Sequence, residues 1–202
     1  MTKSTENFRH FLNQVVPLHE HDFTIGFQYF HERRLTKGEH FIEAGEVCKQ
    51  LAFVNSGMLR TYFVDDNAEE VTYCFCTENH FETSFKSFIQ QKPSTLSIQS
   101  LEDTNLLVIN FQDLQQLYWK SKTWERIGRV FSEKEYLKME EHASNVKNET
   151  ASAKYLRLMT DHPQIIQKAP LNYIASYLGI TPRHLSRLRG ELNSGHLSTA
   201  KN

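Results

Sequence analysis

Arg183 and Arg187 stand four residues apart in APLNYIASYLGITPRHLSRLRGEL, residues 169–192. If a helix begins at Thr181, then Leu185, Leu188 and Leu192 recur at three and four and share one buried face. Arg183, Ser186, Arg187 and Gly190 then fall on the opposite face, with the two guanidinium groups one turn apart. Such donors match the O6/N7 acceptor pair of guanine or the oxygens of a phosphate, and small neighbours let a duplex approach closely. Thr181, His184 and Arg189 flank that face within reach of phosphates. The plainer alternative is a helical hairpin whose basic side chains only face solvent.

Other constellations carry less. His19 and His21 are spaced like two metal ligands on one strand face, which makes a cupin-like metal-dependent enzyme the rival reading. The further ligands it needs would come from His31, His40 or His80, and none of these falls in a cupin-type motif. Cys74 and Cys76, in Tyr73-Cys74-Phe75-Cys76, could act as a redox pair if exposed, or as small buried hydrophobes. On a strand they would share a face about 7 Å apart, too far for an easy disulfide. The chain has no Gly-rich phosphate loop and no Gly-x-Ser-x-Gly elbow, so phosphoryl and acyl transfer lack an anchor. The expectation is a protein with no catalytic residue, no metal and no cofactor.

The elements that position the arginines are readable from caps and periods. Pro170 suits the start of a helix, and Leu171, Ile174, Ala175 and Leu178 then line one face. Gly179 can take the left-handed turn, Ile180 fills the corner, and Thr181-Pro182 caps and opens the next helix. Residues 149–161 form a preceding helix with Ala153, Leu156, Leu158 and Met159 as candidate core, closed near His162-Pro163. Upstream, Trp124 to about His142 reads as a longer helix with a stripe of Ile127, Val130, Phe131 and Leu137 among many charges. That seam suits pairing with a second copy, and equally an amphipathic helix lying on its own sheet.

Before residue 110 the period changes. Residues 6–16 have helical spacing, closed by Pro17. From about 23 to 110, alternation in LRTYFV and EEVTYCFC, with turns at residues 37–39, 44–46, 55–57 and 65–67, reads as short strands of a sandwich or barrel. Residues 111–121 return to a helical period. Strands followed by helices imply an α+β chain. The expected domains are residues 1–123, 124–142 as a linking helix, and 143–202.

Charge follows the same division. Over 202 residues the net charge is −1, but residues 144–202 hold 8 Lys and Arg against 3 acids, +5, while the remainder has 15 against 21, −6. A basic C-terminal quarter on an acidic body points to a polyanionic partner for that quarter alone. The 14 Phe, 8 Tyr and 2 Trp supply buried area that a disordered chain lacks. No apolar run reaches the roughly 18 residues of a membrane span, and the first residues lack the apolar stretch of a signal peptide. With three cysteines, none in a Cys-x-x-Cys pair, a reducing cytoplasm is the expected location.

Roughly residues 30–192 resemble the Crp/Fnr family of bacterial transcription regulators. IASYLGITPRHLSR resembles the family's helix-turn-helix. LTKGEHFIEAGEVCKQLAFVNSGMLRTYFVDDNAEEVTYCF resembles its cyclic-nucleotide-binding-type jelly roll, with turn glycines at Gly38, Gly45 and Gly57, and SIQSLEDTNLLVIN resembles its last strands. The resemblance implies a homodimer joined through residues 124–142 (Ile127, Val130, Phe131, Leu137), double-stranded DNA as partner, a small-molecule effector at the barrel and RNA polymerase as a further contact. Its effector pocket would map to Glu82, Thr83, Ser84, Ser94 and Thr95. Here the chain departs from the family. The Gly-Glu pair that holds ribose and phosphate falls on Glu82-Thr83, and the arginine position on Ser94. Losing that guanidinium removes a charge-assisted contact, and Glu82 adds repulsion, so no cyclic nucleotide is expected to bind. No cysteine precedes Cys48, which excludes the family's N-terminal iron–sulfur cluster. Pro182 and Arg183 stand where well-known members carry Arg and Glu, and the tail after Leu192 is too short for the usual wing, so the remaining alternative is a degenerate regulator that keeps the fold, binds no DNA and acts by protein contacts.

Overall fold

A computed structural model describes residues 3–199, and the side chains of residues 4–140 and 149–192. Two helices come first, α1 (Lys3–Val15) and α2 (Glu20–Phe27). Eight strands follow: β1 (His31–Leu35), β2 (His40–Ile42), β3 (Gln50–Ser56), β4 (Met58–Val64), β5 (Glu70–Thr77), β6 (Phe81–Glu82), β7 (Ser97–Ser100) and β8 (Thr104–Asn110), with α3 (Phe85–Gln90) between β6 and β7. The remaining helices are α4 (Phe111–Lys120), α5 (Lys122–Asn148), α6 (Ala151–Asp161), α7 (Pro163–Lys168), α8 (Leu171–Leu178) and α9 (Pro182–Thr199).

The strands form two four-stranded sheets, ordered β1-β8-β3-β6 and β2-β7-β4-β5. In the first, β8 pairs antiparallel with both β1 and β3, and β3 with β6, which sets Ala52 opposite Glu82 and Phe53 opposite Phe81. Gly38, Gly45 and Gly57 all take positive φ, as turn positions demand.

By compactness the chain divides into two units. One is the chain up to Thr61 with Phe75–Asn145; the other is Tyr62–Cys74 with the chain from Val146. The first unit holds the larger core: Phe8 and Leu12 of α1, Phe23 of α2, Leu51, Ala52, Phe53 and Val54 of β3, Leu106–Ile109 of β8, and Trp124 and Ile127 of α5. Phe8 sits at the centre of an aromatic cluster, with ring centroids 4.8 Å from Phe30 and 4.9 Å from Phe53. Each such pair contributes about 0.5–1.5 kcal/mol beyond the area it buries.

Several expectations need correction. The stretch holding His19 and His21 is not a strand: His19 precedes α2 and His21 lies within it, both exposed. Acidic residues in the first turn (Glu20, Asp22) and helical spacing of Phe23 and Phe27 outweigh the short alternation there. In β4 the alternation is hidden, because every residue from Met58 to Tyr62 is buried, Arg60 included. In α6 the core residues are Tyr155 and Leu158, while Leu156 and Met159 are exposed. Pro163 closes α6 and immediately opens α7, since a proline is tolerated in a first turn.

The stripe expected to meet a second copy is also reassigned. Ile127 is buried in the barrel core and Val130 packs against it. Phe131 meets Phe81 edge-to-face at 4.9 Å and stacks on Phe85 at 5.9 Å. Two glycines let α5 seat so closely: a Cβ at Gly26 would run into the Trp124 indole, and one at Gly128 into the Tyr118 ring. Of the four residues, Leu137 alone is exposed, in company with Tyr136 and Met139.

Candidate functional site

Within the second unit, α8 buries Ile174, Ala175 and Leu178, the face its spacing implies. Gly179 ends it in the left-handed conformation (φ 70°), and the Gly179 N–H donates to Ser176 O at 3.0 Å. Ile180 N–H donates to Ala175 O at 3.0 Å, so the turn leaves few backbone groups unsatisfied. The chain then enters α9 at Pro182. Thr181 caps it: its hydroxyl accepts from the His184 N–H at 3.2 Å, and its carbonyl accepts from Leu185 N–H at 3.0 Å.

Leu185 and Leu188 are buried, Leu192 half-buried. Each fully buried leucine contributes about 1.5–3 kcal/mol, enough to fix the rotation of α9 about its axis. That rotation exposes Thr181, Arg183, His184, Ser186, Arg187 and Gly190 together. Arg187 Nε lies 3.7 Å from Glu191 Oε1, an exposed pair one turn apart. Such pairs contribute about 0.3–0.5 kcal/mol, so Glu191 holds Arg187 only loosely.

Arg189 departs from this group. It is half-buried, its Nε donates to the Tyr155 hydroxyl at 3.0 Å and its Nη2 donates to Ile166 O at 3.2 Å. Its guanidinium also lies 5.8 Å from the Tyr155 ring centroid. It ties α9 to α6 and α7 and leaves the outward set. Sequence spacing could not separate it from Arg187, because its partners lie 34 and 23 residues away.

A further contact in this unit had no signature. Ser176 Oγ accepts from Thr72 N–H at 2.9 Å and donates to Glu70 O at 3.2 Å. Glu70 and Thr72 point the same way from β5, an outer strand of its sheet, so α8 satisfies part of its open edge.

In the barrel, the positions matched to an effector pocket are closed on themselves. The Ser84 and Ser94 hydroxyls are 2.8 Å apart, and Ser94 Oγ donates to Leu96 O at 2.7 Å. Thr83 Oγ1 donates to Gln50 O at 2.9 Å, and Thr83 N–H donates to Glu82 Oε1 at 3.1 Å. Glu82, Thr83, Ser84 and Ser94 are buried; Thr95 is exposed and apart from them. Burial pushes the Glu82 carboxyl up to about 7, against the bond it accepts from the Thr83 N–H.

Among the described residues, no three His, Cys, Asp or Glu side chains gather as a metal set, and no helix is long and apolar enough to cross a membrane. Cys48 and Cys76 are buried, Cys74 half-buried, and none is disulfide-bonded. The Cys48 thiol lies 3.2 Å from Thr83 Oγ1.

Residues 32–121 match the cyclic nucleotide-binding domain family. No curated protein sequence matches significantly. Among solved structures, the chain is similar to the c-di-GMP responsive global regulator CLP of Xanthomonas campestris (18% identity, TM-score 0.68, covering 89% of this chain and 94% of that one). It is also similar to FixK2 of Bradyrhizobium japonicum (17%, 0.68, 83% and 86%) and to a transcriptional regulator of the Crp/Fnr family from Eubacterium rectale (16%, 0.65, 88% and 85%). The fold is that of the Crp/Fnr regulators.

Proposed function

We propose that this protein is a sequence-specific DNA-binding transcription regulator of the Crp/Fnr type, built from a jelly-roll sensor barrel and a helix-turn-helix. One observation carries the reading: Leu185 and Leu188 are buried while Arg183, His184, Ser186 and Arg187 are exposed together on the helix that Thr181 caps. On this reading Arg183, Ser186 and Arg187 read base edges in the major groove, and Thr181 and His184 hold flanking phosphates. The N-terminus of α9 adds its own attraction for phosphate.

The protein acts as a homodimer, placing two such helices about 34 Å apart on a near-palindromic site. Tyr136, Leu137 and Met139, exposed where α5 has left the barrel, form the pairing face. The barrel is the sensor, and its effector is not a cyclic nucleotide held at the family's usual phosphate site. Ser94 stands where a guanidinium would be needed and is bonded to Ser84, beside the buried carboxyl of Glu82. Regulation follows from whatever differential affinity an effector has for two settings of α5, and RNA polymerase is the downstream contact.

The experiment is selection of bound sites from random duplex DNA at two salt concentrations. The reading requires enrichment of a two-fold symmetric site and an affinity that falls steeply with salt. Unselective recovery, insensitive to salt, would remove it.

A further inference from the structure

Between β2 and β3 the chain runs through residues 43–49, and its backbone is fastened to neighbouring segments. Gly45 N–H donates to Ser94 O at 2.8 Å, and Ser94 N–H donates to Glu46 O at 2.7 Å. Val47 bridges to Pro93, and Cys48 N–H donates to the Ser87 hydroxyl at 2.9 Å. Lys49 O accepts from Phe111 N–H at 2.9 Å. Backbone tied at so many points holds one conformation, so the surface it presents is preformed.

That surface walls an open cleft of about 250 Å³. Phe41, Ile42 and Val47 give it an apolar side, and Gln50 and Asn110 give it two amides. The amides are themselves positioned. Arg33 Nη1 donates to Gln50 Oε1 at 2.9 Å, Gln50 Nε2 donates to Asn110 Oδ1 at 3.0 Å, and Asn110 Nδ2 donates to Asp113 Oδ2 at 3.1 Å. The Arg33 guanidinium also lies over the Phe41 ring, 4.9 Å from its centroid. The charged lining residues are one base and one acid, Lys49 and Glu46, both exposed. Among the described residues neither forms an ion pair; Glu46 Oε2 accepts from Glu43 N–H at 3.1 Å, within its own turn. No lining residue belongs to the hydroxyl cluster at 83, 84 and 94, although Cys48 Sγ lies 3.2 Å from Thr83 Oγ1.

We propose that this cleft binds a small apolar α-amino acid as its zwitterion, a proposal that rests on the reading of the barrel as a sensor only for its regulatory consequence. Lys49 meets the carboxylate, Glu46 meets the ammonium, and the side chain lies on Phe41, Ile42 and Val47. The fixed amides of Gln50 and Asn110 take up the remaining hydrogen bonds. An anion alone would leave Glu46 beside a like charge, and a cation alone would do the same to Lys49. The volume falls below the roughly 300–1,000 Å³ of sites for drug-sized ligands, which suits an amino acid and excludes a nucleotide. Occupancy would bear on residues 83–94 through the bonds at Thr83, Ser87 and Ser94.

The test uses the full chain without DNA, so its outcome is independent of whether the protein binds a duplex. Backbone amide shifts are followed while L-leucine, L-phenylalanine, isocaproate (leucine without its amine) and isoamylamine (leucine without its carboxylate) are added separately, each up to about 20 mM. Shifts from the amino acids should centre on residues 41–50 and 110, with leucine binding roughly threefold or more tighter than either one-charge analogue. Glu46→Gln should remove the advantage over isocaproate, and Lys49→Gln the advantage over isoamylamine. Both positions are exposed, so these variants should fold, and the native protein alone already decides between leucine and its analogues. No shifts with either amino acid, equal affinity for a one-charge analogue, or shifts centred on the 83–84 and 94 cluster instead would overturn the proposal.

Discussion

Arg189 Nε donates to the Tyr155 hydroxyl at 3.0 Å, and this bond divides the arginines of α9 into two kinds. Arg189 braces its own domain, whereas Arg183 and Arg187 face outward. Arg189→Met should lower stability by about 1–3 kcal/mol, because it leaves the Tyr155 hydroxyl and Ile166 carbonyl without their donor. Chemical denaturation measures this. Per folded molecule, affinity for the selected DNA site should change little.

Leu185 and Thr181 set the rotation and start of α9. Leu185→Ala should cost about 2–5 kcal/mol and Thr181→Ala about 1 kcal/mol, read from denaturant midpoints at unchanged slope. A neutral Leu185→Ala would show that α9 is not anchored by its leucine face.

Along α5, the two halves of the helix should respond differently to mutation. Phe131→Ala should destabilise the barrel by about 3–5 kcal/mol, since its ring packs on Phe81 and Phe85. Replacing Tyr136 and Leu137 together by Glu should leave the fold intact and give a monomer in sedimentation velocity, because the pairing face becomes an array of like charge. A dimer that survives this change lies elsewhere.

Stability should fall as pH rises through the acid range. The carboxyl of Glu82 titrates at about 7 in the folded chain against 4.5 when unfolded. Below 4.5 both states are protonated and its stabilisation is fully present; between 4.5 and 7 the unfolded state ionises first, and the stabilisation is lost through the folded value. The loss is about 3 kcal/mol, with roughly 1.4 kcal/mol per pH unit at most. Glu82→Gln should flatten this slope in denaturation measured across the window. An unchanged slope would show that another group sets it.

The change from strands to helices after Asn110, the turn at Gly179, the cap at Thr181 and the buried leucines of α9 were legible in the sequence, because each depends on residues within one or two turns; the short helices α2, α3 and α7 were not. The failures share a different cause. Whether Ile127 and Phe131 face a partner or their own barrel depends on Gly26 and Gly128 admitting α5, which no helical period encodes. Arg189 and Ser176 find partners across 34 and more than 100 residues, so spacing could not reveal their bonds. At His19 and His21 a two-residue alternation was too short to compete with the amphipathic pattern around it. For the barrel the residue types were informative: hydroxyls at 84 and 94 cannot hold what a guanidinium holds, and in the fold they bond each other.

Base preference of Arg187→Ala tests the central claim most directly. On the duplex selected by the native protein, competition binding at fixed salt should show a loss of about 1–3 kcal/mol, concentrated at one position of each half-site where discrimination between bases is relaxed. Equal affinity and an unchanged base profile in this variant would contradict the account.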